Sequence, residues 1–130
     1  MNLSALIAAL IAVESGGRDN AIGDGGRAIG ALQIHKSVVV DVNRIAGTSY
    51  THQQMTNRIA ARRVCEIYLR HYVTEKRLGR KPTLADFAKV WNSGPDGFKK
   101  TCSDGYASKV ELQTTKQNDS DFKKRKAVSD

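Results

Sequence analysis

The sequence is poor in the residues that hold a small fold together covalently or bind metals. Its 130 residues include two cysteines and two prolines, so at most one disulfide can form and a disulfide framework is excluded. Cys65 and Cys102 can pair or stay as thiols, and we expect free thiols because nothing else indicates an oxidising scaffold. The three histidines have no zinc-ligand spacing and no cysteine partner. We therefore expect no metal and no cofactor.

Long apolar runs are also missing. No stretch reaches the ~18 apolar residues that a transmembrane helix needs, so we expect no membrane span. The N-terminal segment is similar to the apolar part of a secretory signal, but it lacks the basic n-region. Its apolar positions follow the spacing of an amphipathic helix instead, which makes it the predicted first helix: Leu3, Leu6, Ile7, Leu10 and Ile11.

Aromatic residues are scarce, at 6%, and no helix-turn-helix, zinc or RNP pattern is present, so we expect no nucleic-acid partner. Positive charge is what the chain has in excess. Lys and Arg number 21 against 13 Asp and Glu, giving a net charge of +8. Residues 113–130 contribute only +2 of this charge, so the rest of the chain is itself basic. Such a charge either attracts polyanions, including acidic cell-wall polymers, or serves solubility.

The length of the chain and the positions of its helix caps and glycines predict one mainly α domain over residues 1–112. A basic, mobile tail is predicted to follow over residues 113–130. Six glycines between positions 16 and 30 place a glycine-rich loop or small β-ribbon after the first helix. Caps and glycine stops then predict helices over 38–45 after Ser37, 52–78 after a Thr51–Gln54 capping box, 84–91 after Thr83, and 103–112. A strand remains an alternative for residues 38–40. The predicted inner stripe of the longest helix is Ala60, Val64, Ile67 and His71, with Tyr68 as a further candidate.

Two carboxylates stand out chemically. Glu14 lies at the C-terminal end of an apolar helix, where the helix dipole disfavours negative charge and partial burial adds a desolvation cost. Both effects raise the pKa of a carboxyl group, as a general acid near neutral pH requires. Asp24 lies in a glycine-flanked turn ten residues further on. A carboxyl on a helix end and another on a facing loop suit glycosidase chemistry, although Asp-Gly is also a common turn pair.

Four blocks, in this order, resemble the lysozyme-like superfamily, within which the nearest groups are soluble lytic transglycosylases, goose-type lysozymes and invertebrate-type lysozymes. The blocks are VESGG at 13–17, GDGGRAIGALQI at 23–34, WNSGP at 91–95, and a late Gly-Tyr at 105–106 followed by Lys-Val at 109–110. The resemblance covers residues 3–112 and implies a lysozyme-like fold.

The resemblance also implies roles for single residues. Glu14 matches the general acid, and Asp24 matches the second carboxylate of goose-type and invertebrate-type lysozymes, which typical transglycosylases lack. Gln33 and Asn92 match residues that line the sugar cleft, and Tyr106 matches a tyrosine near the acid. His35 stands where goose-type enzymes carry a further aspartate, and we place it among the substrate-binding residues. Trp91 replaces the family's tyrosine and is expected to belong to the core.

The implied function is a muramidase that hydrolyses the β-1,4 bond between N-acetylmuramic acid and N-acetylglucosamine in peptidoglycan. The alternatives are a lytic transglycosylase that yields 1,6-anhydro products, a chitin-cleaving enzyme, or a non-catalytic basic protein that binds cell wall or nucleic acid. We expect a monomer that acts on the cell wall outside the cytoplasm, and a phage-encoded lysis enzyme fits a chain without a visible signal peptide.

Overall fold

The computed structural model describes residues 2–129, which form a mainly helical fold with one small antiparallel sheet, as the sequence predicted. Short 3-10 turns join the helices. No helix in the described range is both long and apolar enough to cross a bilayer. The elements in chain order are α1 Leu3–Ser15, β1 Ile22–Gly23, β2 Ala28–Ile29, α2 Lys36–Ala46, α3 Arg58–Tyr72, α4 Glu75–Leu78, α5 Leu84–Ser93 and α6 Asp104–Ser129.

Helix α1 is the centre of the core. The side chain of Asn2 caps its first turn by accepting a hydrogen bond from the backbone N–H of Ala5, and Gly16 ends the helix in a left-handed conformation. The predicted apolar face packs against α6 and α3, with Leu6 and Leu10 at most 1% exposed. Burial of one such leucine stabilises a fold by about 1.5–3 kcal/mol, so α1 is a rigid platform for the residues at its end.

Residues 38–40 lie within helix α2, so the strand alternative for them is wrong. The helix begins two residues earlier than predicted, because His35 rather than Ser37 occupies the N-cap position. His35 makes no capping hydrogen bond with its side chain. Gly47 ends the helix in a left-handed conformation, as predicted.

The segment predicted as one helix over 52–78 is three elements. Thr51 and Gln54 form the two hydrogen bonds of a capping box, but the box begins only a 3-10 turn. Asn57 then caps α3 by accepting from the backbone N–H of Ala60, and Val73 leaves the helical region before Thr74 caps α4. The predicted stripe is correct only in part. Val64 and Tyr68 are buried, but His71 is exposed and the buried face also contains Ala61, Cys65 and Leu69.

Helix α5 starts at the predicted cap. Thr83 and Asp86 form a capping box, and both carboxylate oxygens of the buried Asp86 accept from Arg80, at 2.6 and 2.7 Å. This bidentate pair and the bonds from Thr83 lower the pKa of Asp86 to about 2. The ordinary pKa of an aspartate is 3.8, so the Arg80–Asp86 pair stabilises the folded state fully only above that pH. This stabilisation is lost as the pH falls toward 2, where Asp86 becomes protonated. The helix ends at Ser93, within the predicted break.

Helix α6 does not end near residue 112 but continues to Ser129. Val110 is fully buried, and Thr114 and Gln117 are half-buried. Thr114 lines a groove together with the first turn of α5, and Gln117 lines one together with α1. Residues 118–120 and 122–126 are exposed. The first part of the predicted tail is therefore docked helix. The mobility of the rest stays a prediction.

We expect two truncations to separate these parts. A chain that ends after Asn118 should keep its melting temperature within ~2 °C, because the removed turns pack against little. A chain that ends after Leu112 should melt several degrees lower, since it loses the contacts of Thr114 and Gln117 and ~1 kcal/mol corresponds to ~2–8 °C. Circular dichroism melts of both chains check this. Equal melting temperatures would contradict the docking of residues 113–118.

Candidate functional site

The sequence-predicted site residues converge on one cleft of about 260 Å³. It lies between the end of α1, the β-ribbon with the start of α2, and the end of α5. Five of the six predicted residues line the cleft. The sixth, Tyr106, does not line it but forms a hydrogen bond with Glu14, which does. The full lining is Glu14, Asp24, Ala28, Gln33, Ile34, His35, Val38, Trp91 and Asn92.

Glu14 is the most desolvated carboxyl group of the cleft. Its Oε1 accepts a hydrogen bond of 2.8 Å from the hydroxyl of Tyr106, on α6. Burial raises the pKa of Glu14 above its ordinary value of 4.5, although the Tyr106 bond and the charge of His35 act in the opposite direction. A raised pKa favours the protonated form of the carboxyl group, which is the form that a general acid needs.

The end of α1 is fixed by its neighbour Ser15. The buried hydroxyl of Ser15 accepts from the backbone N–H groups of Gly17 and Arg18, at 3.2 and 3.1 Å. The side chain of Arg18 in turn donates to the Ser15 carbonyl at 2.9 Å. These bonds satisfy the end of the helix and hold the backbone beside Glu14, which explains why a serine and two glycines follow the acid.

Asp24 lines the same cleft from the turn between β1 and β2. It adopts a left-handed backbone conformation, with φ 50°, and its side chain is 49% exposed. Arg27 Nη2 lies 3.3 Å from one carboxylate oxygen, and His35 Nε2 lies 3.4 Å from the other. Asp24 is therefore a solvated carboxylate held by two neighbours, in contrast to the desolvated Glu14.

Gln33 holds the ribbon in place. Its side-chain amide donates to the carbonyls of Ala21 and Gly30, at 3.1 and 3.0 Å, and its backbone is left-handed with φ 51°. Gly30 is required here for two reasons: it also has a positive φ, and a side chain would collide with the backbone of Met55. Gly30 and Gln33 therefore stabilise the ribbon, and Gln33 also lines the cleft.

Asn92 comes from the last turn of α5 and is held by a buried serine that sequence reasoning missed. Its Nδ2 donates to Ser103 Oγ at 3.0 Å, and Ser93 and Ser103 share a short hydroxyl contact. Ser103 is fully buried. No motif indicated it, because a serine ahead of a helix is ordinarily a cap.

Trp91 was expected in the core, and it does pack edge-on against the ring of Tyr68, with centroids 5.7 Å apart. It is nevertheless only half-buried and also lines the cleft. The Trp91 ring thus contributes to both the core and the cleft, where Glu14 and Asn92 are among the other lining residues.

The site offers carboxylates, amides and an imidazole but no clear metal-binding arrangement. Among the residues whose side chains the structure describes, no three of His, Cys, Asp or Glu are grouped so that they could hold a metal ion. Cys65 is buried in α3, Cys102 is exposed before α6, and both are free thiols.

The sequence matches no protein-family model and no curated protein.

Glu14 makes stability depend on pH in a definite direction. Because its folded pKa lies above 4.5, the folded state holds the proton more tightly than the unfolded state, and stability falls as the pH rises from 4.5 through the folded pKa. Glu14→Gln removes the charge and keeps an acceptor for Tyr106. We expect this variant to melt at a higher temperature than wild type at about pH 7, with the difference vanishing near pH 3.5.

Thermal melts at both pH values check this prediction. Glu111→Gln is the matched control, because Glu111 is exposed on α6, and its difference from wild type should not change with pH in this way. A Glu14→Gln protein that is destabilised equally at both pH values would contradict the desolvation of Glu14.

Proposed function

We propose that the protein is a muramidase with a lysozyme-like fold that cleaves the β-1,4 bond between N-acetylmuramic acid and N-acetylglucosamine in peptidoglycan. The observation that carries the proposal is the pairing of a desolvated, Tyr106-bonded Glu14 with the solvated Asp24 and His35 in one cleft. Two carboxyl groups in such contrasting environments are the arrangement that glycosidases use to separate acid from base. The net charge of +8 suits an anionic wall polymer.

In this mechanism Glu14 donates its proton to the glycosidic oxygen as the bond from that oxygen to C1 breaks. A water on the Asp24 side attacks C1 and gives its proton to the Asp24 carboxylate, which later releases it to solvent. Glu14 is left as a carboxylate and regains a proton from solvent. Gln33, Asn92 and Trp91 line the walls against which the sugar would lie.

A lytic transglycosylase is the second candidate, and one observation favours it. Both oxygens of Asp24 already face Arg27 or His35. A water that binds Asp24 would compete with these groups. In the transglycosylase reaction Glu14 acts alone: after donating its proton, the carboxylate takes the proton of the C6 hydroxyl, whose oxygen attacks C1 and closes the anhydro ring.

Glu14→Gln should abolish the lysis of purified peptidoglycan, because the amide keeps the shape of the side chain but cannot supply the proton. The expected loss is ~10²–10⁴-fold, the usual contribution of general acid catalysis. The loss of turbidity measures it, with Glu111→Gln as the control that should remain active. A Glu14→Gln protein with more than about a tenth of wild-type activity would show that another group is the acid.

Asp24→Asn decides between the two reactions. For the hydrolase we expect at least a ~10-fold loss of activity with sugar binding retained, since asparagine hydrogen-bonds but takes no proton from water. Mass spectrometry of wild-type products should then show reducing ends that contain the added water. Asp119→Asn, on the exposed part of α6, is the control. Full activity of Asp24→Asn together with anhydro products would establish the transglycosylase.

A further inference from the structure

Helix α3 carries a row of arginines along its outer side. Arg58, Arg62 and Arg70 are four and eight residues apart, so they follow one side of the helix over about 18 Å. Arg63 lies beside this row. The only acidic residue of α3 is Glu66, so positive charge predominates on this side of the helix. None of these residues lines the cleft of the candidate functional site.

The arginine row forms one wall of a groove between α1 and α3. Two cavities of about 570 and 300 Å³ follow each other along the seam between these helices, and Arg62 lines both of them. On the α1 side the lining extends from Asn2, before the helix, to Gly17, just after its end. This arginine groove therefore runs along the whole of α1, and it suits an extended chain better than a compact ligand.

The positive charges of the arginine groove are only partly neutralised. Arg58 Nε donates to Asp19 at 2.6 Å. Glu66 accepts from Arg70 at 3.0 Å, and its other oxygen lies 3.5 Å from Arg63. The four arginines therefore share two carboxylates among the described residues, and the groove keeps an excess of positive charge. An anionic ligand would complement this charge.

Arg62 is the fixed cation at the centre of the groove. Its Nη2 donates to the backbone carbonyl and the hydroxyl of Ser4, at 3.1 and 3.0 Å, and these bonds hold the guanidinium beside the first turn of α1. Within the described part of the chain, Arg62 forms no ion pair and its other N–H groups have no acceptor. A guanidinium that is held in place and still has free donors is well suited to bind a phosphate group.

The remaining lining of the arginine groove is aliphatic or neutral and polar. Ile59, which is 81% exposed, and Leu3 provide carbon surface, whereas Asn2, Ser4 and Gln117 provide amide and hydroxyl groups. None of the described residues that line the groove is aromatic. Proteins that bind single-stranded nucleic acid ordinarily stack its bases on aromatic side chains. The groove therefore favours a polyanion that has no bases.

We propose that the arginine groove binds a flexible phosphodiester polymer of the polyol-phosphate type, such as poly(glycerol phosphate). Its phosphates match the arginines, its hydroxyl groups match Asn2 and Ser4, and its short carbon segments match Ile59. The proposal concerns a surface separate from the cleft. A polymer of this kind attached to a cell wall would hold the protein there, whichever reaction the cleft performs.

Binding of poly(glycerol phosphate), followed by fluorescence anisotropy at physiological ionic strength, tests the proposal. The double variant Arg63→Gln/Arg70→Gln should raise the Kd ~10-fold, because each change removes charge-assisted hydrogen bonds. The slope of log Kd against log salt concentration should fall by about 1–2, since two phosphate contacts are lost.

Lys76→Gln/Lys109→Gln is the matched control. It removes the same amount of charge from exposed positions on α4 and α6. Its Kd should stay within about twofold of the wild-type value, because charges far from the bound polymer are screened by salt. Equal weakening of both double variants would show that net charge alone attracts the polymer, and would overturn the groove proposal.

Two measurements do not depend on these variants. NMR spectra of wild type with poly(glycerol phosphate) should show shifts at the methyl groups of Ile59 and at the side-chain N–H groups of Arg62. The methyl groups of Val40, which is exposed on α2, should not shift. Glu14→Gln should bind the polymer as tightly as wild type. Shifts at Val40 without shifts at Ile59, or loss of binding in Glu14→Gln, would place the polymer elsewhere and overturn the proposal.

Two other polyanions separate the proposed ligand from its alternatives. An oligothymidylate with the same number of phosphates and vesicles of phosphatidylglycerol should both bind more weakly than poly(glycerol phosphate). Tighter binding of either probe that is lost in Arg63→Gln/Arg70→Gln would assign the groove to nucleic acid or to a membrane surface and overturn the proposal. Groove-dependent binding of poly(glycerol phosphate) by a protein that does not cleave peptidoglycan would support the groove and reject only the enzymatic function.

Discussion

The chemistry of the cleft depends above all on the placement of one carboxyl group. Glu14 is carried to the edge of the core by the most apolar helix of the chain and meets the hydroxyl of Tyr106, 92 positions away in sequence. Desolvation there favours the protonated form, and the single hydrogen bond limits how far the pKa rises. The packing of α1 against α6 is therefore also what tunes the chemistry of the site, because neither helix alone would supply both the burial and the donor.

The rest of the cleft is arranged around this group by short-range devices. Gly30 lets the ribbon approach the backbone of Met55, Gln33 bonds the ribbon to itself, and His35 joins the ribbon to α2. Ser103 holds Asn92 from the other side. These hydrogen bonds fix the polar residues of the cleft in a small fold that has no disulfide. The cleft that they surround is open to solvent.

Local chemistry in the sequence was enough to predict some features and not others. Thr83, Gly47 and the apolar face of α1 act within a few residues, so their outcomes follow from capping and periodicity. The breaks at Asn57 and Val73 were missed because the charged, helix-favouring residues around them hide the boundary. The face of α3 was misjudged because Ala60 and Ala61 are both apolar, and tertiary packing against α1 and α2 selects between them. The motif residues of the cleft were found, whereas the buried Ser103 was not, since its role exists only after folding.

The unbroken course of α6 has a mechanical consequence. Tyr106, which touches the acid, and Lys126, near the far end, belong to the same helix, and the rise of ~1.5 Å per residue separates them by about 30 Å along its axis. A rod of this kind transmits orientation as well as distance. If a further group were attached rigidly to the end of α6, its orientation relative to the cleft would depend on the number of helical residues between the cleft and that group. Each added residue would rotate the group by about 100° about the helix axis.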